Sequence, residues 1–125
     1  MSDLKQAIII RKDLNLNKRD LASTVARASL MFIIENNEAK QGNQLLVSLS
    51  SDEQAWLTGS FDQSICYVKN KDQLDDVLFH AEIMGIEVYP VFVPGGSENP
   101  NVLCIAIGPD DSDIINKLIY NLKPL

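Results

Sequence analysis

Short runs of apolar residues separate longer segments of mixed polarity along this chain of 125 residues. Four runs, at residues 6–11, 64–68, 86–93 and 102–107, are rich in β-branched and aromatic side chains. Continuous apolar runs of this length are typical of strands buried in a parallel or mixed sheet. Pro90 interrupts the third run and predicts an edge or a bulge there, because proline cannot donate a ladder hydrogen bond.

Three longer segments, in residues 17–34, 70–84 and 110–122, place apolar residues at the three-or-four spacing of an amphipathic helix. Asn17 and Asn70 precede the first two of these segments, and asparagine is a favoured residue for capping the first turn of a helix. We therefore expect the first helix to begin at Asn17 and the second to begin at Asn70.

The middle of the chain gives a weaker pattern. Residues 45–50 predict a short strand or an extended connection. Ser50 and Glu53 have the spacing of a capping box, so one or two helical turns are expected to follow, ended by Gly59. Trp56 in that segment is expected to cover part of the core.

The order of these elements predicts an α/β fold of three layers (α/β/α), in which helices cover both faces of a four-stranded mixed sheet. The last two strands are too close in sequence for a helical crossover, so they are expected to run antiparallel to each other. A chain of this length is expected to form one domain, spanning residues 1–125.

Composition narrows the class of protein. A hydrophobic fraction of 46% with 22% charged residues is typical of a globular domain. The sequence has neither an apolar run long enough for a membrane span nor a signal-like N-terminus, so we expect a cytoplasmic protein without a membrane partner. Cys66 and Cys104 lie in predicted strands without CxxC spacing or a neighbouring histidine, which predicts reduced core thiols and neither a metal site nor a disulfide. No cofactor is expected. His80, the single histidine, is expected on the surface.

Charge is distributed unevenly within the formal total of −6. Residues 1–40 contain seven Lys or Arg against five Asp or Glu, whereas residues 41–125 contain four against twelve. Lys18 and Arg19 stand at the start of the first predicted helix, where cations oppose the helix dipole. The pattern indicates a small basic site for an anionic ligand on an acidic body, or alternatively a solvated and locally paired surface.

Three segments together resemble one family: IIIRKDLNLNKRDLA near the start, PVFVPGGSENP before the last strand, and AIGPDDSDIINKLIYNLKPL at the end. They are similar to the type II peptidyl-tRNA hydrolase family over nearly the whole chain. The positions that match the family pattern are Arg11, Asp13, Leu14, Lys18, Ala22, Ala28, Leu30, Gly108, Pro109, Lys117, Leu122 and Leu125. Residues 36–62 stand as a variable insertion, and with the C-terminal tail they resemble a diverged bacterial branch of the same superfamily.

The resemblance implies hydrolysis of the ester that joins a peptide to the 3′ end of tRNA, and it implies the site residues. Thr24 and Arg27 stand where the family has glutamine and histidine, and Val93 stands where it has a carboxylate. Hydrolysis is therefore expected to be slow or to use Glu98 or Asp13 as the base. The residues assigned in this way are Lys18, Ser97 and Arg27 as catalytic, and Arg11, Lys12, Asp13, Arg19, Thr24, Gly95 and Gly96 as binding residues. Lys18, Arg27 and Ser97 are expected to meet in one cleft at the end of the sheet.

The alternative is a binding module that breaks no bond and holds an anionic ligand, an RNA end or a partner peptide. Arg27 favours this alternative, because arginine stays charged at neutral pH and cannot shuttle a proton, yet it binds phosphate or carboxylate well. If Arg27 instead faced the core, the alternative would lose its main residue. A homodimer, as in the family, is a further expectation and would use the edge of the third strand or the apolar middle segment.

Overall fold

A computed structural model describes residues 3–92 and 102–125, with the backbone alone described for residues 37–41. It confirms the α/β class. In chain order the described elements are β1 (Leu4–Arg11), a 3₁₀ turn (Lys12–Leu14), α1 (Lys18–Glu35), β2 (Asn37–Gln41), β3 (Gln44–Val47), α2 (Ser51–Thr58), β4 (Gln63–Val68), α3 (Lys71–Ile83), β5 (Val88–Phe92), β6 (Val102–Asp111), α4 (Ser112–Ile119) and β7 (Lys123–Pro124).

The main sheet is mixed and has the strand order β5-β6-β1-β4-β7. β1 runs parallel to β4 and antiparallel to β6, and β5 runs antiparallel to β6 as the sequence predicted. β5 is an edge strand, in agreement with the proline it contains. The prediction of four strands was wrong, because Lys123 and Pro124 add the short strand β7 beside β4. A two-residue strand has no periodicity that a sequence pattern can reveal.

A separate two-stranded hairpin, formed by β2 and β3, follows α1. Gly42 at its turn has a positive φ of 60°, a conformation that glycine adopts without strain. The sequence predicted only a short strand or a connection here. The capping box at the start of α2 is confirmed: the Ser50 hydroxyl accepts from the Glu53 amide at 3.1 Å, and the Glu53 carboxylate accepts from the Ser50 amide at 2.8 Å.

Two hydrophobic clusters meet at β1, whose successive side chains point to opposite faces of the sheet. Ala7 and Ile9 pack in a cluster with apolar residues of α3 and α4. Ile8 and Ile10 pack in the other, with Phe32 of α1 and apolar residues of α2. Because these β1 side chains are at most 2% exposed, each isoleucine contributes about 1.5–3 kcal/mol to the free energy of folding.

Trp56 completes the second cluster from α2 and is 1% exposed. Its ring contacts Phe32 edge-on and stacks on Phe61 with centroids 4.4 Å apart. Its indole N–H donates to the carbonyl of Asp62 at 2.9 Å, which satisfies its polar group. The expected core position of Trp56 is confirmed.

The strand directions place the carboxyl ends of three strands on the same side of the sheet. β1, β4 and β5 point the same way, because β5 and β1 are both antiparallel to β6. These three strands therefore end on the side of the sheet where β6 begins at Val102; their last residues are Arg11, Val68 and Phe92. In α/β sheets the carboxyl ends of the strands are where ligands usually bind.

Candidate functional site

Arg11 is the last residue of β1, and its side chain is only 9% exposed. The 3₁₀ turn that follows brings Asp13 back against it: Nε donates to Oδ1 at 3.1 Å and Nη2 donates to Oδ2 at 2.7 Å. Nη1 donates to the carbonyl of Val102 at 3.3 Å. The guanidinium thus joins the end of β1, the turn and the start of β6.

The Arg11–Asp13 pair also sets the ionisation of both groups. The hydrogen bonds from Arg11, aided by its charge, hold the pKa of the Asp13 carboxyl below its ordinary value. The same contact raises the pKa of Arg11. Asp13 is therefore a weaker base than an ordinary aspartate, with both oxygens already accepting from Arg11.

Lys12, in the 3₁₀ turn after β1, contacts Tyr67 near the end of β4. Its ammonium is 4.4 Å from the ring centroid of Tyr67, which sits opposite Ile10 in the parallel β1–β4 pair. This is a cation–π distance. Tyr67 was not among the residues predicted for the site. The rule that parallel strands end on the same side of a sheet could have indicated Tyr67 from the sequence. Only the observed pairing of β1 with β4 places Tyr67 beside Lys12.

A cavity of about 240 Å³ opens beside these residues. We call it the Tyr67 cavity; its lining residues are Ile10, Arg11, Lys12, Asn15, Leu16, Leu21, Tyr67 and Leu125. Its walls are mostly aliphatic, with two cationic side chains. Asn15 lies in the left-handed region, at φ 57°, which asparagine tolerates better than most residues.

The start of α1 agrees with the sequence prediction. Asn17 caps the helix, its side-chain oxygen accepting from the Asp20 amide at 2.8 Å. Lys18 and Arg19 are the first two helical residues, and both are exposed. Among the side chains of residues 3–36, 42–92 and 102–125 the ion pairs are Arg11–Asp13 and Lys71–Asp75, so neither Lys18 nor Arg19 is paired with a described carboxylate.

A second cavity, of about 400 Å³, lies against another side of α1. We call it the Arg27 cavity; its lining residues are Ser23, Thr24, Arg27, Val91, Phe92 and Leu103. Thr24 and Arg27 share a helix face at i, i+3 spacing. The Thr24 hydroxyl donates to the Asp20 carbonyl at 2.8 Å, so only its acceptor capacity is left for a ligand. Arg27 is exposed and does not face the core.

Lys18 and Arg27 point in different directions. They are nine residues apart on one helix, which is about two and a half turns and roughly 13 Å along the axis. Half a turn places them on opposite sides of α1. The expectation that Lys18 and Arg27 meet in one cleft does not fit this geometry. Ser97, like Gly95, Gly96, Val93 and Glu98, lies outside the described residues, so its place relative to Lys18 or Arg27 stays a prediction.

The two cysteines and the histidine lie where the sequence predicted them. Cys66 and Cys104 are buried free thiols, and burial raises the pKa of Cys66 and raises the pKa of Cys104 to about 12. His80 is exposed on α3, where its Nδ1 donates to the Asp76 carbonyl at 2.7 Å. The described residues include no group of three or more histidine, cysteine or acidic side chains placed to hold a metal. Nor is any described helix long and apolar enough to cross a membrane.

Comparison with known proteins gives one family. The model of the family described as peptidyl-tRNA hydrolase PTH2 matches residues 4–125. The chain is 30% identical over 122 residues to a peptidyl-tRNA hydrolase of Haloquadratum walsbyi, covering 96% of this chain and 98% of that protein. It is 28% identical over 124 residues to one of Methanothermobacter thermautotrophicus (98% and 100% covered) and 26% identical over 121 residues to one of Thermococcus onnurineus (95% of each).

Proposed function

Because the chain belongs to the PTH2 family of peptidyl-tRNA hydrolases, we propose that it binds the 3′ end of a peptidyl-tRNA and slowly hydrolyses the ester between peptide and tRNA. The observation that carries this proposal is the cluster of cationic residues around the end of β1 and the start of α1. It stands in a chain whose formal net charge is −6. A local concentration of cations is what phosphate binding requires.

The cationic residues of the site are assigned different roles in binding. Lys12, Lys18 and Arg19 are free of described carboxylates and are assigned to phosphate contacts. Arg11 was assigned to the same role from the sequence, but its side chain is nearly buried and held by Asp13. We therefore assign Arg11 to positioning the end of β1 and not to direct phosphate binding.

The chemistry is proposed to be slow because no good general base is at hand among the described residues. Arg27 keeps its proton at neutral pH. Asp13 has a lowered pKa and both oxygens occupied by Arg11, so it would accept a proton poorly. A water oriented by Ser97 and by backbone amides of residues 93–101, including those of Gly95 and Gly96, would then react without strong base assistance. Loss of a positioned general base typically lowers a rate by about 10²- to 10⁴-fold.

The test is turnover of an N-blocked aminoacyl-tRNA, with the Methanothermobacter thermautotrophicus relative as the comparator. We expect this protein to be about 10²- to 10⁴-fold slower, and Lys18→Ala to weaken tRNA binding and reduce the slope of log K against log salt by about 1. Lys117→Ala, an exposed change on α4, is the matched control. A rate equal to that of the comparator, abolished by Lys18→Ala, would refute the slow mechanism.

A second candidate, a module that binds without hydrolysis, is supported by the exposure of Arg27 beside a cavity of about 400 Å³. In that case tRNA or another anion binds with clear salt dependence and no ester is cleaved at any enzyme concentration. Arg27→Gln is then expected to weaken binding more than Arg27→Lys, since a guanidinium forks onto phosphate whereas an ammonium acts as a point charge. Binding without any salt dependence would exclude a phosphate clamp.

Other expectations stay predictions. The three-layer arrangement is supported by the two core clusters on either side of β1. The chain is expected to form one domain over residues 1–125, with 36–62 as a variable insertion. A homodimer, a cytoplasmic location and a place in a diverged bacterial branch of the family are the other expectations.

A further inference from the structure

The Tyr67 cavity combines an apolar interior with a cationic rim. Ile10, Leu16 and Leu21 supply aliphatic walls, and Tyr67 supplies an aromatic one. Its volume of about 240 Å³ is below the roughly 300–1,000 Å³ of sites that enclose a whole small molecule. The cavity therefore fits one planar ring system or one side chain, as part of a larger ligand.

The charges around the cavity favour one of these two occupants. Lys12 is exposed and forms no ion pair with the side chains described for residues 3–36, 42–92 and 102–125, and the buried guanidinium of Arg11 forms part of the wall. A neutral peptide side chain makes no use of these cations. A nucleotide does, because it joins a flat base to an anionic phosphate.

We propose that the Tyr67 cavity takes the base of one nucleotide, and that Lys12 holds the phosphate of that nucleotide. The inference rests on the proposed function and adds which part of an RNA end enters which cavity. In the free protein the Lys12 ammonium lies over the Tyr67 ring. A charge-assisted hydrogen bond to phosphate is stronger than an exposed cation–π contact, so Lys12 moves to the phosphate and uncovers the ring for stacking.

Asn15 gives the cavity a group that can hydrogen-bond a base. It lines the cavity, and its side-chain amide offers a donor beside an acceptor. Adenine offers N6–H beside a ring nitrogen, and unpaired uracil offers N3–H beside a carbonyl oxygen, so the amide can hold either base. The cavity is therefore expected to take both bases, with 5′-UMP shifting the same amides as 5′-AMP.

The experiment is an NMR titration of the ¹⁵N-labelled full chain with 5′-AMP, 5′-UMP, ribose 5-phosphate and N-acetylleucine amide. We expect 5′-AMP to shift the amides of Lys12, Asn15 and Tyr67 and to bind about tenfold more tightly than ribose 5-phosphate, the size of effect that base stacking supplies. Tyr67→Leu is expected to remove that preference for a base. Lys12→Ala is expected to weaken 5′-AMP binding about tenfold, with Lys12→Arg restoring most of it and Lys117→Ala changing nothing.

Several outcomes would overturn the inference. Equal affinity for 5′-AMP and ribose 5-phosphate would leave the base outside the cavity. Shifts at these amides caused by N-acetylleucine amide and not by 5′-AMP would make the cavity a peptide subsite. Intact tRNA is titrated on the same samples: if tRNA binds but 5′-AMP does not enter the cavity, this inference fails and the proposed function stands. If neither binds, both fail. Retained amide dispersion in each variant shows that it is folded.

Discussion

Replacing Asp13 with asparagine tests whether the Arg11–Asp13 pair holds the end of β1 at the candidate site. Asparagine keeps the shape of the side chain but removes its charge and one of its two acceptor oxygens. The Arg11 side chain is 9% exposed, so water cannot fully replace the lost contact. A hydrogen bond to a charged group contributes about 1.5–3 kcal/mol. Because the Asp13 side chain is 34% exposed, solvent screening reduces this to roughly 1–2 kcal/mol.

The expected result at pH 7 is a loss of about 1–2 kcal/mol in the free energy of unfolding by urea, and a fall of roughly 4–8 °C in Tm. Lys71→Gln is the control. It breaks the Lys71–Asp75 pair, whose side chains are 64% and 50% exposed, and such pairs contribute at most about 0.5 kcal/mol. Equal losses in the two variants would show that burial of Arg11 gives its pair no special value.

The pH dependence gives an independent check. Arg11 lowers the pKa of Asp13 in the folded protein below the value of about 3.9 expected in the unfolded chain. The unfolded state therefore binds more protons near that pH, so the stabilisation is fully present above about pH 4 and is lost as pH falls through the lower folded pKa. The difference in stability between wild type and Asp13→Asn is expected to be constant from pH 7 to 5 and to shrink below 4. A difference that stays constant down to the acid limit would refute this explanation.

Three further predictions concern the core and the helix caps. Gln6 is fully buried, donates to the Ser29 carbonyl at 3.3 Å and accepts from Gln63 at 2.8 Å, so Gln6→Ala is expected to cost about 2–3 kcal/mol in urea unfolding; a loss below 0.5 kcal/mol would contradict this. Cys104, whose pKa burial raises to about 12, and buried Cys66 are expected to resist a thiol-specific reagent at pH 8 until the protein unfolds, and rapid labelling of the native protein would count against their burial. Ser50→Ala removes a capping box and is expected to cost about 1 kcal/mol, whereas an unchanged urea midpoint would show that α2 is held by packing alone.

Local sequence predicted where several candidate residues lie in the fold. Arg11 and Lys12 do lie at the carboxyl end of a buried strand, and Lys18 and Arg19 do begin α1. The opposed directions of Lys18 and Arg27 were also available, since nine residues on a helix are about two and a half turns. The roles of these residues, and of residues 93–101, stay predictions.

The sequence alone determined the elements whose causes are local. A β-branched run specifies β1, and side chains three residues apart cap α1 and α2. Only the tertiary structure decided which distant residues are neighbours: Tyr67 beside Lys12, the Val102 carbonyl beside Arg11, and β7 beside β4. Caps and helical faces depend on residues within one or two turns of each other. Strand neighbours depend instead on which of several similar apolar runs pair across the sheet, and that choice is made by the packing of the whole core.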